Sequence, residues 1–311
     1  MILSTLLTIV GLAIFETISS IDNAVINAEV LKTMSARAKR WFLIWGILFA
    51  VVIVRGLLPW IIVWATLPEL GPIGSLTATF SSDPMVITAI EHSAPILLLG
   101  AGVFLVLLFL HWLFLEPKRF GLPGEKFFLQ NGLWFYATAS LFLLAVVWQA
   151  IHLAQGGSLL AFGAVVGSTA FFIVHGFKQN AEVAEVNLRN GSKGQSDFSK
   201  ILYLEIIDAT FSIDGVLGAF AFTMAVPLII LGNGLGAYVV REMTMRNIES
   251  IAKYPFLKHG AMYSIFALGI IMTLHGFGFH IPEWVSPLVT VAIITGFILK
   301  SLQVMKDTKT V

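Results

Sequence analysis

Cysteine is absent from the 311 residues of this chain, and charged residues make up only 12% of it. Without cysteine there can be no disulfide, thiolate nucleophile, iron–sulfur cluster or cysteine-ligated zinc site, so oxygen and imidazole nitrogen are the only strong metal ligands on offer. The charges nearly cancel to a formal net charge of +1. Nothing in this charge balance predicts a nucleic-acid partner.

Hydrophobic residues make up 57% of the chain and the mean hydropathy is +0.88, which is typical of a protein whose partner is the lipid bilayer. A helix needs about 20 apolar residues to cross a hydrocarbon core of roughly 30 Å. The sequence therefore predicts an all-α polytopic membrane protein with about nine transmembrane helices. These are residues 2–26, 41–65, 95–115, 133–153, 158–177, 200–222, 226–244, 261–279 and 284–303.

The basic residues orient the predicted spans. The loops after spans 2, 4, 6 and 8 contain no lysine or arginine, and every basic residue except Arg55 falls on the other side. By the positive-inside rule the N-terminus lies outside and the C-terminus inside, as in a multi-pass protein of a bacterial-type inner membrane. The first span lacks a basic n-region and a small-residue cleavage site, so we do not expect a cleaved signal peptide.

Two acidic motifs stand inside the predicted spans. Glu16 and Asp22 are six residues apart in span 1, and Asp208 and Asp214 are six residues apart in span 6. The tripeptide Ser-Ile-Asp occurs in both motifs, at 20–22 and at 212–214. An ionised carboxylate in hydrocarbon is costly, so such residues mark a polar cavity or a buried partner.

The two motifs predict an inverted repeat. Spans 1 and 6 run in opposite directions, and the interface of inverted repeats commonly holds a substrate site near the membrane midplane. We predict one transmembrane domain over residues 1–311. It divides into a first half over 1–153, a linking span and cytoplasmic loop over 154–199, and a second half over 200–311. Spans 1 and 6 should cross so that Asp22 and Asp214 share a cavity.

Helix geometry separates the candidates. Positions six apart on a regular helix are rotated by about 240°, so Glu16 and Asp22 can face one ion only if the helix kinks or breaks. Glu205 and Asp208 are three apart and share a helix face without any distortion. Glycines at four-residue spacing, 163 with 167 and 232 with 236, predict faces where helices pack closely.

At these positions the chain resembles the TerC family of integral membrane proteins, which includes manganese exporters. The resemblance rests on Glu16 with Asp22-Asn23 in the first half and on Glu205, Asp208 and Asp214, with Phe211, in the second. Arg55 is similar to that family's arginine on its second span, and Asn233 with Arg241 to its later Asn-x7-Arg. The chain departs from the family pattern at Gly215, where serine is usual, and in a long outer segment at 66–94.

The resemblance implies export of a divalent cation, manganese above others, with protons as a possible coupling ion. The implied ligands are six residues, and the residues that compensate charge or gate the site are three. The ligands are Glu16, Asp22, Asn23, Glu205, Asp208 and Asp214, and the others are Arg55, Arg241 and Asn233. Carboxylates with an asparagine form a hard-oxygen site, which suits manganese, calcium or magnesium. The cation would be cargo, and no permanent cofactor and no enzymatic activity are expected.

Two other function classes stay open. Two intramembrane aspartates could activate a water, as in an intramembrane aspartyl protease, although the chain has no Gly-x-Gly-Asp stretch. The protein could also be an accessory membrane protein that supports metal loading or stress tolerance. A single intramembrane acid could, moreover, be a neutral packing element or serve only as the partner of Arg55.

Overall fold

The structure is a computed structural model, and it describes eleven parts of the chain. These are residues 2–21, 24, 28, 30–31, 34–46, 49–81, 83–118, 120–153, 157–191, 197–246 and 253–307. Helices form all of the regular structure in these parts, and none of them contains a β-strand. Asp22 and Asn23, two of the predicted ligands, lie outside the described residues.

Twelve α-helices are described. They are α1 (Ile2–Ser19), α2 (Ala36–Trp41), α3 (Leu58–Thr66), α4 (Gly71–Thr77), α5 (Pro84–Leu115), α6 (Glu125–Gln130), α7 (Trp134–Leu153), α8 (Gly157–Gly191), α9 (Asp197–Ala219), α10 (Val226–Arg246), α11 (Leu257–Gly276) and α12 (Val285–Asp307). Between α2 and α3 the chain forms two π-helical stretches, Phe42–Gly46 and Phe49–Leu57. Short 3₁₀ turns occupy Pro68–Leu70 and Ala78–Phe80.

Five of the described helices are long and apolar enough to span a membrane, so the chain is a multi-pass membrane protein. They are Pro84–Leu115, Trp134–His152, Gly157–Asn180, Leu257–Gly276 and Val285–Lys306. A sixth candidate is the pair Arg55–Thr66 and Pro68–Thr77, which meet at a bend of 105°. The apolar helix Leu3–Ser19 is shorter than these, and α9 and α10 are not among the candidate spans of the described residues.

Helix α5 is the centre of the core, because α8 and α11 both pack along it. Its residues Leu99, Val103, Phe104 and Leu105 are fully buried. By contrast α7 exposes large apolar side chains on its outer face, which contact lipid in a membrane-embedded helix.

The predicted glycine faces are confirmed. Cβ atoms at Gly232 and Gly236 would lie 2.5 and 2.6 Å from the Cβ atoms of Leu12 and Glu16 on α1, and one at Gly163 would lie 2.7 Å from the Ile96 carbonyl oxygen. A side chain at these positions would push the helices apart. The glycines therefore let α10 approach α1, and let α8 approach α5.

Two predicted boundaries were wrong. Span 3 was expected to begin at residue 95, but α5 begins at Pro84, where the Asp83 carboxylate caps it by accepting a hydrogen bond from the Met85 amide at 2.9 Å. The polar run after residue 177 was expected to be a loop, but α8 continues to Gly191. Its alanines, glutamates and leucine are good helix formers, and the loss of hydrophobicity there did not end the helix.

Candidate functional site

Glu16 is held at the end of α1 by an arginine from the neighbouring π-helix. Arg55 donates from Nε and Nη2 to the Oε1 atom of Glu16, at 2.8 and 2.5 Å, and Ser20 donates its hydroxyl to the same oxygen at 2.8 Å. Only 1% of the Glu16 side chain and 3% of the Arg55 side chain are exposed. These hydrogen bonds are charge-assisted. Because both side chains are buried, loss of either one would leave the other as an unpaired buried charge.

A second pair joins α9 to α10. Arg241 Nη2 lies 3.2 Å from Glu205 Oε1, and Arg241 Nη1 donates to the Phe42 carbonyl oxygen at 2.8 Å. The guanidinium group also lies over the Phe42 ring, 4.2 Å from its centroid. A planar guanidinium can make these contacts together, which a lysine ammonium cannot.

Asp208 connects the two pairs. Its Oδ2 atom is 3.8 Å from both Arg55 Nη1 and Arg241 Nη2. Glu205 and Asp208 share one face of α9, as their spacing predicted. We call these five residues the carboxylate–guanidinium cluster: Glu16, Arg55, Glu205, Asp208 and Arg241. If all five are ionised, three carboxylates face two guanidinium groups and one negative charge is left over.

The cluster borders a cavity of about 20 Å³, large enough for one water molecule or one ion. Arg55, Asp208 and Arg241 line it together with Ser20 and Phe42. Two carboxylate oxygens of the cluster, Glu16 Oε2 and Glu205 Oε2, are buried and have no hydrogen-bond partner among the described residues. Buried oxygens of this kind are unusual unless a ligand or ordered water satisfies them.

Glycines give the acids their space. A Cβ atom at Gly215 would lie 2.6 Å from Glu16 Oε2, and one at Gly46 would overlap Glu205 and Arg241. The residue at which the chain departs from the TerC pattern, Gly215, therefore leaves room beside the unpartnered oxygen of Glu16.

Asp214 has a different partner. It forms an ion pair with Lys178 of α8, and 14% and 11% of the two side chains are exposed. Lys178 was placed by the sequence in a cytoplasmic loop, but it is buried and belongs to a helix. Whether Asp22 shares a cavity with Asp214 falls outside the described residues.

The remaining predicted residue, Asn233, is fully buried on α10. Neither its amide nitrogen nor its amide oxygen has a hydrogen-bond partner in the described part of the chain. It lies three residues before Gly236, where a Cβ atom would lie 2.6 Å from the Cβ atom of Glu16. Its predicted part in charge compensation or gating stays a prediction.

Among the described residues no three histidine, aspartate or glutamate side chains lie close enough together to hold a metal ion. The contacts of the cluster explain this, because Arg55 stands between Glu16 and Asp208, and Arg241 between Asp208 and Glu205. A cation would therefore have to compete with the guanidinium groups for the carboxylate oxygens.

The sequence did not predict a buried carboxylate that lies outside the cluster, Glu125. Glu125, at the start of α6, accepts hydrogen bonds from the Tyr263 hydroxyl at 2.9 Å and the Leu122 amide at 2.8 Å, and its Oε2 atom lies 3.1 Å from Nε2 of His259. We call Glu125, His259 and Tyr263 the loop latch, because they fasten the segment after α5 to α11. No local pattern could have revealed it, since Glu125 is more than 130 residues from both His259 and Tyr263.

Comparison with known proteins places the chain in a family. A family model described as "Protein of unknown function (DUF475)" matches residues 21–308. Over 116 residues the chain is 27% identical to "Uncharacterized membrane protein YceF" of Bacillus subtilis (strain 168), an alignment that spans 36% of this chain and 45% of that protein. No solved structure matches the chain. Since the family match extends over most of its length, this multi-pass membrane protein belongs to the DUF475 family.

Proposed function

We propose that this protein exports a divalent metal cation, with manganese favoured, through the carboxylate–guanidinium cluster. One observation carries the proposal. Asp208 lines a cavity of about 20 Å³ that fits one ion, and the two glutamates that pair with the arginines of this cavity, Glu16 and Glu205, each have a buried oxygen without a hydrogen-bond partner among the described residues. A charged cluster inside a membrane protein is expensive, so it is kept where an ion must pass. The resemblance to the TerC family motifs supports the same reading.

In this proposal Glu16, Glu205 and Asp208 are the carboxylate ligands, and Asp22 and Asn23 complete the set from the segment after α1. A cation displaces Arg55 and Arg241 from the carboxylates, and the arginines return when it leaves. The arginines then keep the acids paired between transport cycles, since an unpaired buried charge is strongly destabilising. Asp214 stays a predicted ligand beside these, and a cation would have to displace Lys178 from it.

The finer topology is part of the proposal. It has nine spans in two inverted halves, an outside N-terminus and a bacterial inner membrane, with α1, α9 and α10 crossing beside the five long apolar helices. In such transporters, short or broken helices supply the binding site at the interface of the halves. The π-helical stretch that carries Arg55 fits this pattern, because π-helices occur frequently at functional sites.

The geometry gives less support to an intramembrane aspartyl protease than to a transporter. An aspartyl protease needs two aspartates on one water. In the described residues Asp208 lies between two arginines and Asp214 lies beside a lysine. No contact favours an accessory role over transport.

The test is flux of several divalent cations into proteoliposomes that contain the purified protein. We expect transport of Mn²⁺ by the wild type and a decrease of at least about tenfold in Asp208→Asn, which keeps the shape of a ligand and removes its charge. Glu283→Gln is the matched control, since Glu283 is an exposed acid in the connection between α11 and α12. A wild-type protein that moves no divalent cation would refute the proposal.

A further inference from the structure

A second and much larger cavity lies apart from the carboxylate–guanidinium cluster. Its volume is about 870 Å³, which is within the range of pockets that hold drug-sized molecules. The two cavities have no lining residue in common. Much of this large cavity is built by the segment 66–94, in which the chain departs from the TerC pattern. The proposed export of a metal cation gives this segment no role.

The walls of the large cavity come from four parts of the fold. The bend after α3, at residues 66–70, and the first turns of α5 form two of them, and the start of α8 and the end of α11 form the others. The Trp60 indole donates a hydrogen bond across the bend to the Pro72 carbonyl oxygen, at 2.6 Å. Gly276 lets α11 approach α5, since a Cβ atom there would lie 2.9 Å from the Cβ atom of Leu99. Helix packing and this hydrogen bond therefore hold the walls in place.

Most of the lining is apolar. The hydroxyl groups of Thr66, Thr88 and Ser93 line the cavity, but each donates its hydrogen to a backbone carbonyl oxygen of its own helix. A ligand that fills the cavity must therefore have a mainly apolar surface. The apolar side chains of the lining include those of Leu67, Leu70, Met85, Ile96, Leu160 and Phe277.

The charged side chains of the lining have one sign. Glu69 and Glu91 line the cavity, with His92 as the other titratable group, and none of the described lysines and arginines does. Two helices, α3 and α11, end at the cavity and two, α5 and α8, begin there, so their dipoles oppose one another. The two glutamates therefore set the sign of the electrostatic potential, which attracts a cation.

We propose that the large cavity binds an organic cation whose charge is carried on an apolar body. The apolar walls bury the body, and Glu69 and Glu91 attract the charge. A small inorganic ion would leave the apolar walls uncovered, and an organic anion would be repelled by the two carboxylates. This binding goes beyond the proposed function and does not depend on it, because the cavity shares no residue with the one at the cluster.

The probe is tetraphenylphosphonium, which carries one positive charge on four phenyl rings. Equilibrium dialysis against the purified protein in uncharged detergent micelles measures its binding, with protein-free micelles as the reference. We expect saturable binding of one ion per chain. Tetraphenylborate has the same shape and the opposite charge, and we expect it to bind at least about tenfold more weakly once its uptake by the micelles is subtracted. Phosphonium binding that does not saturate, or equal binding of the two ions, would overturn the proposal.

Charge variants test the two glutamates. The double variant Glu69→Gln with Glu91→Gln should lower the affinity for tetraphenylphosphonium by about fivefold or more, because it removes both attractions to the bound charge. Glu283→Gln is the control, since Glu283 is an exposed acid that does not line the cavity. Unchanged affinity in the double variant would overturn the proposal.

A variant that fills the cavity tests where the ion binds. Thr88→Trp places a large side chain at an exposed, cavity-lining position of α5, and it should abolish binding of tetraphenylphosphonium. Thr169→Trp is the matched control on α8, because Thr169 is also exposed and its hydroxyl also donates to the carbonyl oxygen four residues earlier. Binding that survives in Thr88→Trp would overturn the proposal.

A membrane lipid with an amine headgroup is the other occupant that these experiments must separate. We expect tetraphenylphosphonium to stay bound when phosphatidylethanolamine is added to the micelles, with phosphatidylglycerol as the control lipid. Displacement by phosphatidylethanolamine alone would assign the cavity to that lipid and overturn the proposal. No metal is present in these measurements. A protein that moves no Mn²⁺ but binds tetraphenylphosphonium as expected would therefore refute the proposed function and support the organic-cation site.

Discussion

The loop latch and the carboxylate–guanidinium cluster are both buried groups around glutamates, but they satisfy their oxygens differently. Both oxygens of Glu125 have partners, namely a tyrosine hydroxyl, a backbone amide and a histidine. In the cluster Oε1 of Glu16 has three donated hydrogen bonds, whereas Oε2 of Glu16 and of Glu205 have none among the described residues. A network in which every polar atom has a hydrogen-bond partner stabilises a single arrangement of its side chains. A buried oxygen without a partner costs free energy, and a ligand that binds to this oxygen removes that cost.

The latch and the cluster also differ in the partners of their carboxylates. The latch joins a carboxylate to a hydroxyl, a backbone amide and an imidazole, and it holds a loop. The cluster joins three carboxylates to two permanent cations, which a metal ion can replace only by electrostatic competition. We therefore expect changes in the latch to lower stability alone, and changes in the cluster to affect stability and flux together.

The largest effect should follow from Arg55→Ala. It leaves Glu16 buried without its cation, and loss of one partner of a buried pair costs about 3–5 kcal/mol. Arg55→Lys should restore only part of this, because an ammonium cannot replace the Nε and Nη2 donors that both reach Oε1 of Glu16. Thermal unfolding in detergent and Mn²⁺ flux measure both losses.

The control for that experiment is Arg37→Ala, which removes an exposed arginine of α2. It should change neither quantity. Normal unfolding together with normal flux in Arg55→Ala would remove Arg55 from the mechanism.

Tyr263→Phe tests the latch. It removes one hydrogen bond to a charged acceptor, and we expect a decrease in the free energy of unfolding of about 1.5–3 kcal/mol with unchanged flux per folded molecule. Tyr136→Phe, at an exposed position on α7, should have no effect on either quantity. A decrease in flux per folded Tyr263→Phe molecule would contradict the division between a structural latch and a functional cluster.

Gly215→Ala tests the space beside Glu16. The new Cβ atom would lie 2.6 Å from Oε2, so Glu16 must move, and overpacking of this kind costs about 1–3 kcal/mol. We expect flux to fall because that oxygen is a proposed ligand. Gly296→Ala is the matched control on α12, where no atom lies within 4 Å, and it should stabilise the helix by about 0.5–1 kcal/mol. Unchanged cation affinity in Gly215→Ala would argue against Glu16 as a ligand.

The smallest effect should come from Lys258→Ala, which removes the partner of Glu116 at the start of α11. Because Lys258 lowers the pKa of Glu116, the pair contributes stability above the ordinary pKa of 4.5, and this contribution disappears as the pH falls through the lowered value. The pair is partly exposed, so the difference from wild type at pH 7 should be below about 1 kcal/mol.

Unfolding curves from pH 7 to pH 3 measure this difference, with the exposed Lys126→Ala as control. The gap between Lys258→Ala and wild type should close at the acidic end. A gap that widens as the pH falls would mean that Glu116 is stabilised by something other than Lys258.

Local spacing predicted a good part of the cluster. The three-residue interval placed Glu205 and Asp208 on one face, the glycine pairs marked the close helix contacts, and Arg55 and Arg241 were chosen as compensating charges. Each follows from helix periodicity or from the cost of an unpaired charge in hydrocarbon. Hydrophobicity located the long apolar helices, but it placed the start of α5 eleven residues late because a helix end depends on capping as well as hydropathy.

Local spacing could not predict the ion pair of Asp214 or the loop latch. Lys178 and Asp214 are 36 residues apart, and Glu125 and His259 are 134 apart, so their contacts depend on how the helices pack. The sequence by itself determined that the chain is helical, that it lies in a membrane and that its acids must have partners, because composition, period and desolvation cost act locally. Which acid faces which cation was decided only by the tertiary structure, since the rotation and contact of each helix are set by the side chains of all its neighbours at once.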